Sequence, residues 1–150
     1  FNPDVDPDLP FAAFTARLPE VIAARNDTHA LWGWKYPRAN RYLADILPLL
    51  RNPHLVVVHR DPVPATVRGR PKGDIAALKE LRRRLRMEMD NLKLAQEAKC
   101  PALMVSYERA SKSPEEFVLR LADFLQLDPP ADMAPLLEFM EPGSYKQPVF

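Results

Sequence analysis

The chain of 150 residues is long enough for one domain with a sizeable core, and its 47% apolar and 27% charged residues exclude a disordered segment. Its single cysteine excludes an intramolecular disulfide and a cysteine-rich zinc site. We therefore expect a reducing compartment, the cytoplasm, and no membrane span, because no apolar run approaches the roughly 20 residues that cross a bilayer.

The net charge of +1 hides an uneven distribution along the chain. Residues 35–112 carry seventeen Lys and Arg against eight Asp and Glu, whereas residues 1–34 and 113–150 are both acidic. We predict that the middle of the chain faces an anionic ligand. The acidic, proline-rich start is unlike a signal peptide and lacks an initiator Met, so we expect that the natural beginning of the protein is missing.

The first third of the chain predicts a helix, a short strand and a second helix. Apolar residues at three- and four-residue steps predict a helix over residues 10–25. A short strand is predicted over residues 30–34, with Trp32 and Trp34 on the same side of it, in the core. Helical spacing of apolar residues then predicts a second helix over residues 42–50.

The run Leu55–His59 followed by Arg60, Asp61 and Pro62 predicts a buried strand that turns into a helix. Asp61 suits the helix cap and Pro62 the first helical turn. This junction places the Arg60 guanidinium beside unpaired helix N–H groups at the carboxyl end of a strand, where open α/β sheets bind anions. We interpret it as a phosphate site; the alternative is an arginine that is salt-bridged to its neighbour.

In the second half of the chain, predicted helices and strands continue to alternate. A break at residues 69–73 precedes a long helix from Asp74, whose apolar residues align on one stripe and leave the arginines of residues 82–86 on a solvated face or, as an alternative, on a nucleic-acid surface. A third strand is predicted over residues 102–107, and Ser113 caps a further helix. The fold class is therefore α/β, a layered parallel sheet flanked by helices in a single domain, residues 1–150.

Three short motifs follow one another in an order and spacing that a known family shares. They are Lys35-Tyr36-Pro37-Arg38, then His59-Arg60-Asp61-Pro62 some twenty residues later, then Ser106-Tyr107-Glu108, with Pro114 and Phe124-Leu125 behind it. Together they resemble the sulfotransferase family over residues 32–127. The resemblance implies a fold related to the P-loop NTPases and transfer of a sulfuryl group from the co-substrate 3′-phosphoadenosine 5′-phosphosulfate to a hydroxyl acceptor. No metal is implied.

The resemblance also assigns roles to individual residues. Arg60 matches the arginine that holds the 3′-phosphate, and Arg68 stands where the family usually has a serine for the same phosphate. Lys35 matches the region that reaches the transferring group, where an ammonium neutralises charge on the bridging oxygen. Lys146 lies where the family returns a basic segment to the nucleotide. The pair Tyr107-Glu108 could meet a basic residue near the phosphate arginine, but we interpret Tyr107 as a core anchor, because a tyrosine at the end of a central strand usually has that role.

Two departures from the family concern activity. The Gly-rich phosphosulfate loop has no counterpart, since residues 1–28 contain no glycine, and we expect the chain by itself to be inactive in transfer. A general base is also not evident. Trp34, Tyr36 and Pro37 occupy the positions beside Lys35 and leave His29 and His59 as distant candidates, and a histidine beside a buried strand is more often a packing residue. The alternative hypothesis is therefore a catalytically silent nucleotide-binding or assembly module. The oligomeric state and the acceptor stay open.

Overall fold

The computed structural model describes residues 10–68 and 72–140. Within these ranges the chain forms helices and a small parallel sheet of two strands, so the α/β class is confirmed at this level. The elements in chain order are α1 (Phe11–Thr28), a 3₁₀ turn (Ala39–Arg41), α2 (Leu43–Ile46), a second 3₁₀ turn (Leu47–Leu49), β1 (Leu55–His59), α3 (Pro62–Arg68), α4 (Asp74–Glu97), β2 (Ala102–Ser106), α5 (Tyr107–Lys112), α6 (Pro114–Leu125) and α7 (Ala134–Met140).

The described residues fall into two compact units, which were predicted as one domain. The first unit contains residues 10–55 and 86–101, and the second contains residues 56–68, 72–85 and 102–140. The long helix α4 contributes its carboxyl half to the first unit and its amino half to the second.

The core of the first unit is built from α1 and α2. Ile22 and Tyr42 are its most deeply buried side chains, and Leu18, Tyr36, Leu43 and Ile46 complete it. The Trp34 indole N–H donates to the Tyr42 hydroxyl at 3.1 Å, which gives this buried oxygen a partner. Burial raises the pKa of Tyr42. The predicted helix over residues 10–25 is confirmed, and it runs three residues further.

The predicted strand over residues 30–34 is wrong. Residues 30 and 31 form a bend, residues 32–34 have no regular structure, and side chains hold the segment in place. The Trp32 and Trp34 rings stack at 5.7 Å on the same side, and Trp32 donates to Asn26 Oδ1 at 3.2 Å. The Arg51 guanidinium donates a hydrogen bond to the backbone carbonyl oxygen of His29 at 2.9 Å. A side-chain donor therefore replaces a neighbouring strand.

The helix predicted over residues 42–50 is broken into one turn of α-helix and a 3₁₀ turn on either side. Pro48 sits in the second 3₁₀ turn. It has no N–H for an α-helical bond, so the helix stops there although the apolar spacing continues.

The second unit is organised around β1 and β2, which pair in parallel. Leu103 and Val105 are buried on one face of the sheet, whereas Val56, Val58 and Met104 are exposed. The expectation of a fully buried strand is therefore wrong, and the layered sheet is reduced to two strands among the described residues. This sheet alone does not establish a P-loop NTPase-like or sulfotransferase-like fold.

The second strand ends one residue earlier than predicted, because Ser106 starts a helix. Its hydroxyl accepts the backbone N–H of Arg109 at 3.2 Å, which is an N-cap contact, and Tyr107 becomes the first residue of α5. Helix α6 is confirmed with Pro114 at its start. Ser113, however, makes no side-chain cap, so Glu115 and Glu116 are the side chains that favour its first turn.

The buried Ile22 side chain makes the core of the first unit testable. Ile22 is 1% exposed, so Ile22→Ala leaves a cavity and should lower the free energy of unfolding by about 2–5 kcal/mol. Urea denaturation measures the loss. Val21→Ala is the matched control on the same helix, because Val21 is 38% exposed and its truncation should cost less than ~1 kcal/mol. Equal losses for both variants would contradict this core.

Candidate functional site

The candidate site lies at the carboxyl ends of β1 and β2, the two strands of the second unit. Arg60 and Asp61 follow β1, and Tyr107 and Glu108 follow β2. Because the two strands run parallel, their carboxyl ends meet at the same edge of the sheet. Two of the motifs that the sequence singled out are thereby brought together at one edge.

One hydrogen bond joins the two strand ends. The backbone N–H of Asp61 donates to Glu108 Oε1 at 2.8 Å. This bond is the main cause that lowers the pKa of Glu108, and the nearby positive charge of Arg60 contributes less. Glu108 is therefore ionised at neutral pH and fixes the turn that leaves β1.

The Arg60 guanidinium lies over the ring of Tyr107, with 4.3 Å between the guanidinium carbon and the ring centroid. This cation–π contact stabilises the position of a half-buried cation. Within the described part of the chain, no hydrogen bond or ion pair is formed by its nitrogen atoms. Arg60 therefore keeps its donors for another partner, and the alternative of a salt bridge to Asp61 is not realised.

The expectation of unpaired N–H groups at the start of α3 is wrong. Asp61 Oδ1 accepts the Val63 N–H at 2.9 Å, which confirms Asp61 as the cap. The Asp61 N–H is taken by Glu108, and Pro62 and Pro64 have no N–H. The chain's own carboxylates thus satisfy the donors of this turn, and any attraction for an anion rests on the Arg60 side chain.

The other predicted site residues are placed differently. Lys35 belongs to the first unit, where it is exposed in the irregular segment after α1. Arg68 is the last residue of α3, and its side chain lies outside the described residues, as does Lys146. The predictions for these three residues therefore stay predictions.

The two candidate histidines belong to different units, His29 to the first and His59 to the second. The His29 ring nitrogen Nδ1 lies 2.6 Å from the Thr28 hydroxyl on the exposed end of α1. His59 is half-buried at the end of β1, and its Nε2 has no hydrogen-bond partner among the described residues.

The arginine cluster of α4 is partly neutralised within its own helix. Arg83 donates to Glu80 at 2.7 and 2.8 Å, and Arg84 lies 2.9 Å from the same carboxylate. These contacts, the Arg83 hydrogen bonds first, lower the pKa of Glu80 to about 2. Half of the cluster is thus engaged in intrahelical pairs of the kind found on a solvated helix face.

The edge contact between Glu108 and Asp61 was missed at the level of sequence. Its signal was present, because residues that follow two parallel strands lie at the same edge, but the sequence does not say which backbone group the carboxylate meets. Among the described residues no cluster of three metal-ligating side chains occurs, and no helix there has the length and apolar character to cross a membrane. Comparison with family models, curated proteins and solved structures yields no match.

The Glu108 carboxylate predicts a pH-dependent stability. Because its pKa is lower in the folded chain than in the unfolded chain, its contribution is present above about pH 4.3 and is lost as the pH falls through the folded-state pKa. Glu108→Gln should lower the free energy of unfolding by about 0.5–1 kcal/mol at pH 7, since the carboxylate is exposed and its bond is weakened by solvent.

Urea denaturation at pH 7, 5 and 3 measures this difference, which should shrink towards pH 3. Glu116→Gln is the control, because the Glu116 carboxylate forms an exposed ion pair with Arg109 and makes no contact with the end of a strand. A Glu108→Gln difference that stays constant with pH would contradict the assigned role.

Proposed function

We propose that the chain is a sulfotransferase-like domain that binds an adenosine bisphosphate-type nucleotide. In the complete protein, the domain would serve the transfer of a sulfuryl group from 3′-phosphoadenosine 5′-phosphosulfate to a hydroxyl acceptor. The observation that carries the proposal is the Arg60 guanidinium, which lies over Tyr107 at the carboxyl edge of the sheet and forms no ion pair with the carboxylates of the described residues.

The chemistry of Arg60 suits a phosphate. A guanidinium presents its N–H groups in a planar fork that matches two phosphate oxygens at once, and such charge-assisted bonds are about twice as strong as neutral ones. Stacking on Tyr107 limits the orientations of the fork, so less entropy is lost on binding. Glu108 supports this geometry by holding the preceding turn through the Asp61 N–H.

The remaining roles follow from the family resemblance. Arg68 and Lys146 would add positive charge around the same phosphate. Lys35 would act at the sulfuryl group, where negative charge on the bridging oxygen increases in the transition state. A hydroxyl acceptor needs a base, and the described residues offer none with suitable surroundings.

A catalytically silent module is the second candidate, and one observation favours it. Gly33 and Gly73 are the glycines of the described residues, and a Cβ at either one would meet nothing within 4 Å. A backbone cradle for a phosphosulfate depends on close approach, which glycine permits, and neither position is crowded in that way. Sulfuryl transfer by the complete protein distinguishes the first candidate from the second.

Replacing Arg60 tests the nucleotide site. Arg60→Ala should weaken the binding of adenosine 3′,5′-bisphosphate about tenfold to a hundredfold, because a charge-assisted phosphate contact is lost. Isothermal calorimetry at low salt measures it. Arg60→Lys should recover only part of the affinity, because a lysine keeps the charge and loses the fork.

Arg120→Ala is the matched control, since it removes the same charge from an exposed position on α6 of the same unit. Its affinity should equal that of the unaltered chain. A folded Arg60→Ala variant that binds as well as this control would remove Arg60 from the site.

Lys35 should matter for transfer more than for binding. A cation at the bridging oxygen meets more negative charge in the transition state than in the bound donor, so Lys35→Ala should lower kcat in the complete protein with little change in donor affinity. Single-turnover transfer of a radiolabelled sulfuryl group and calorimetry on the same variant separate the two quantities. Equal losses in kcat and in donor affinity would contradict this role.

A further inference from the structure

A cleft of about 340 Å³ lies in the first unit, beside the carboxyl end of α4. One wall is formed by the second 3₁₀ turn and the loop after it, and the other by the chain that follows α4. The Leu55 N–H donates to the Pro101 carbonyl at 2.9 Å, which joins the two chain segments. The volume falls within the range of roughly 300–1,000 Å³ that is usual for small-molecule sites.

The lining of the cleft is mostly apolar. Its apolar groups belong to Leu47, Ala98 and three prolines, which are Pro48, Pro53 and Pro101. A proline ring fixes its own backbone φ, so these walls lose little conformational freedom when a ligand binds. The cleft therefore suits the apolar body of a small molecule.

Lys99 is the only charged residue among the described residues that line the cleft. The Asn52 amide also lines it, and both side chains are exposed. Neither of them forms a hydrogen bond or an ion pair with the described part of the chain. They give an otherwise apolar cleft one cation and one amide donor.

The backbone at these two residues is unusual. Lys99 has φ 50° and Asn52 has φ 49°, in the left-handed region that favours glycine. Asparagine tolerates this conformation, whereas lysine has a Cβ and no short polar group to compensate. Lys99 thus stands just after a helix, where glycine is the usual residue, and a side chain retained against this preference favours a role for its ammonium.

We propose that the cleft binds a small apolar carboxylate, whose body lies against Leu47 and the prolines and whose charge pairs with Lys99. One ammonium and one amide match the two oxygens of a carboxylate. An inorganic phosphate fits worse, because its charged oxygens need more donors than these two groups provide. The proposal does not depend on the nucleotide site, since it uses none of that site's residues.

Cys100 provides the measurement, because it lines the cleft and is the only cysteine of the chain. Burial raises the pKa of its thiol, so its alkylation by uncharged N-ethylmaleimide is followed at about pH 8 by mass spectrometry. A small ligand should bind with a Kd of about 1 mM or lower, so about 10 mM 3-phenylpropionate should slow the alkylation about tenfold. Acetate, which lacks the apolar body, should not slow it.

The matched neutral probe is 3-phenylpropanamide, which has the same apolar body without the charge and should protect Cys100 less. Equal protection by this amide or by inorganic phosphate would overturn the assignment of a carboxylate. An alkylation rate that 3-phenylpropionate leaves unchanged would overturn the site itself. Alkylation that slows as the protein concentration rises would place a second copy of the chain in the cleft and would contradict a small-molecule site.

Lys99→Gly removes the ammonium without straining the backbone. Glycine suits φ 50°, so urea denaturation should show a variant at least as stable as the unaltered chain. The concentration of 3-phenylpropionate that halves the alkylation rate should nevertheless rise about fivefold to tenfold, because an exposed charge-assisted contact is lost. Lys99→Arg keeps the charge and should recover most of the affinity.

Lys93→Ala is the matched control, because it removes the same charge from an exposed position of α4 outside the cleft. Its affinity for 3-phenylpropionate should equal that of the unaltered chain. A folded Lys99→Gly variant that is protected as well as this control would remove Lys99 from the site and overturn the proposal.

Discussion

The hydrogen bond between the Asp61 N–H and the Glu108 carboxylate spans 47 residues of sequence and joins the ends of the two strands. A sheet of two five-residue strands is marginal by itself, so contacts at its ends matter for its geometry. This bond holds the turn after β1 in place while Tyr107, the neighbour of Glu108, lies beneath Arg60. The surroundings of Arg60 therefore depend on a carboxylate and a ring that come from another element.

The same arrangement limits how an anion can bind. Helix starts attract anions through free N–H groups, but here Asp61, Glu108 and two prolines leave the first turn of α3 without such donors. Capping stabilises the short helix and the strand ends together. The first turn of α3 therefore offers an anion no backbone donors, and the positive charge at this edge comes from the Arg60 side chain.

Several large apolar side chains of the sheet and of α4 are exposed. The sheet exposes Val56, Val58 and Met104, and α4 exposes Ile75, Leu78, Leu85 and Met89 while Leu81, Met87, Leu92 and Leu94 are half-buried. Binary patterning makes a helix amphipathic, but the side that becomes buried is decided by what packs against it. In α4 the half-buried polar side chains include an arginine and a glutamate that pair with each other, which lowers the cost of placing them inward.

Local patterns in the sequence determined where most elements lie. Apolar spacing, the Asp61 cap and the prolines located α1, β1, α3, α4 and α6, because hydrogen bonds between residues four apart and single caps depend only on neighbouring residues. Tertiary structure alone decided that residues 30–34 are held by stacked tryptophans and Arg51, that β2 ends at Ser106, that Glu108 accepts the Asp61 N–H, and that Ile75, Leu78, Leu85 and Met89 of α4 are exposed. Each of these outcomes is a competition between partners that lie far apart in the chain, and a local pattern contains no measure of which partner binds more strongly.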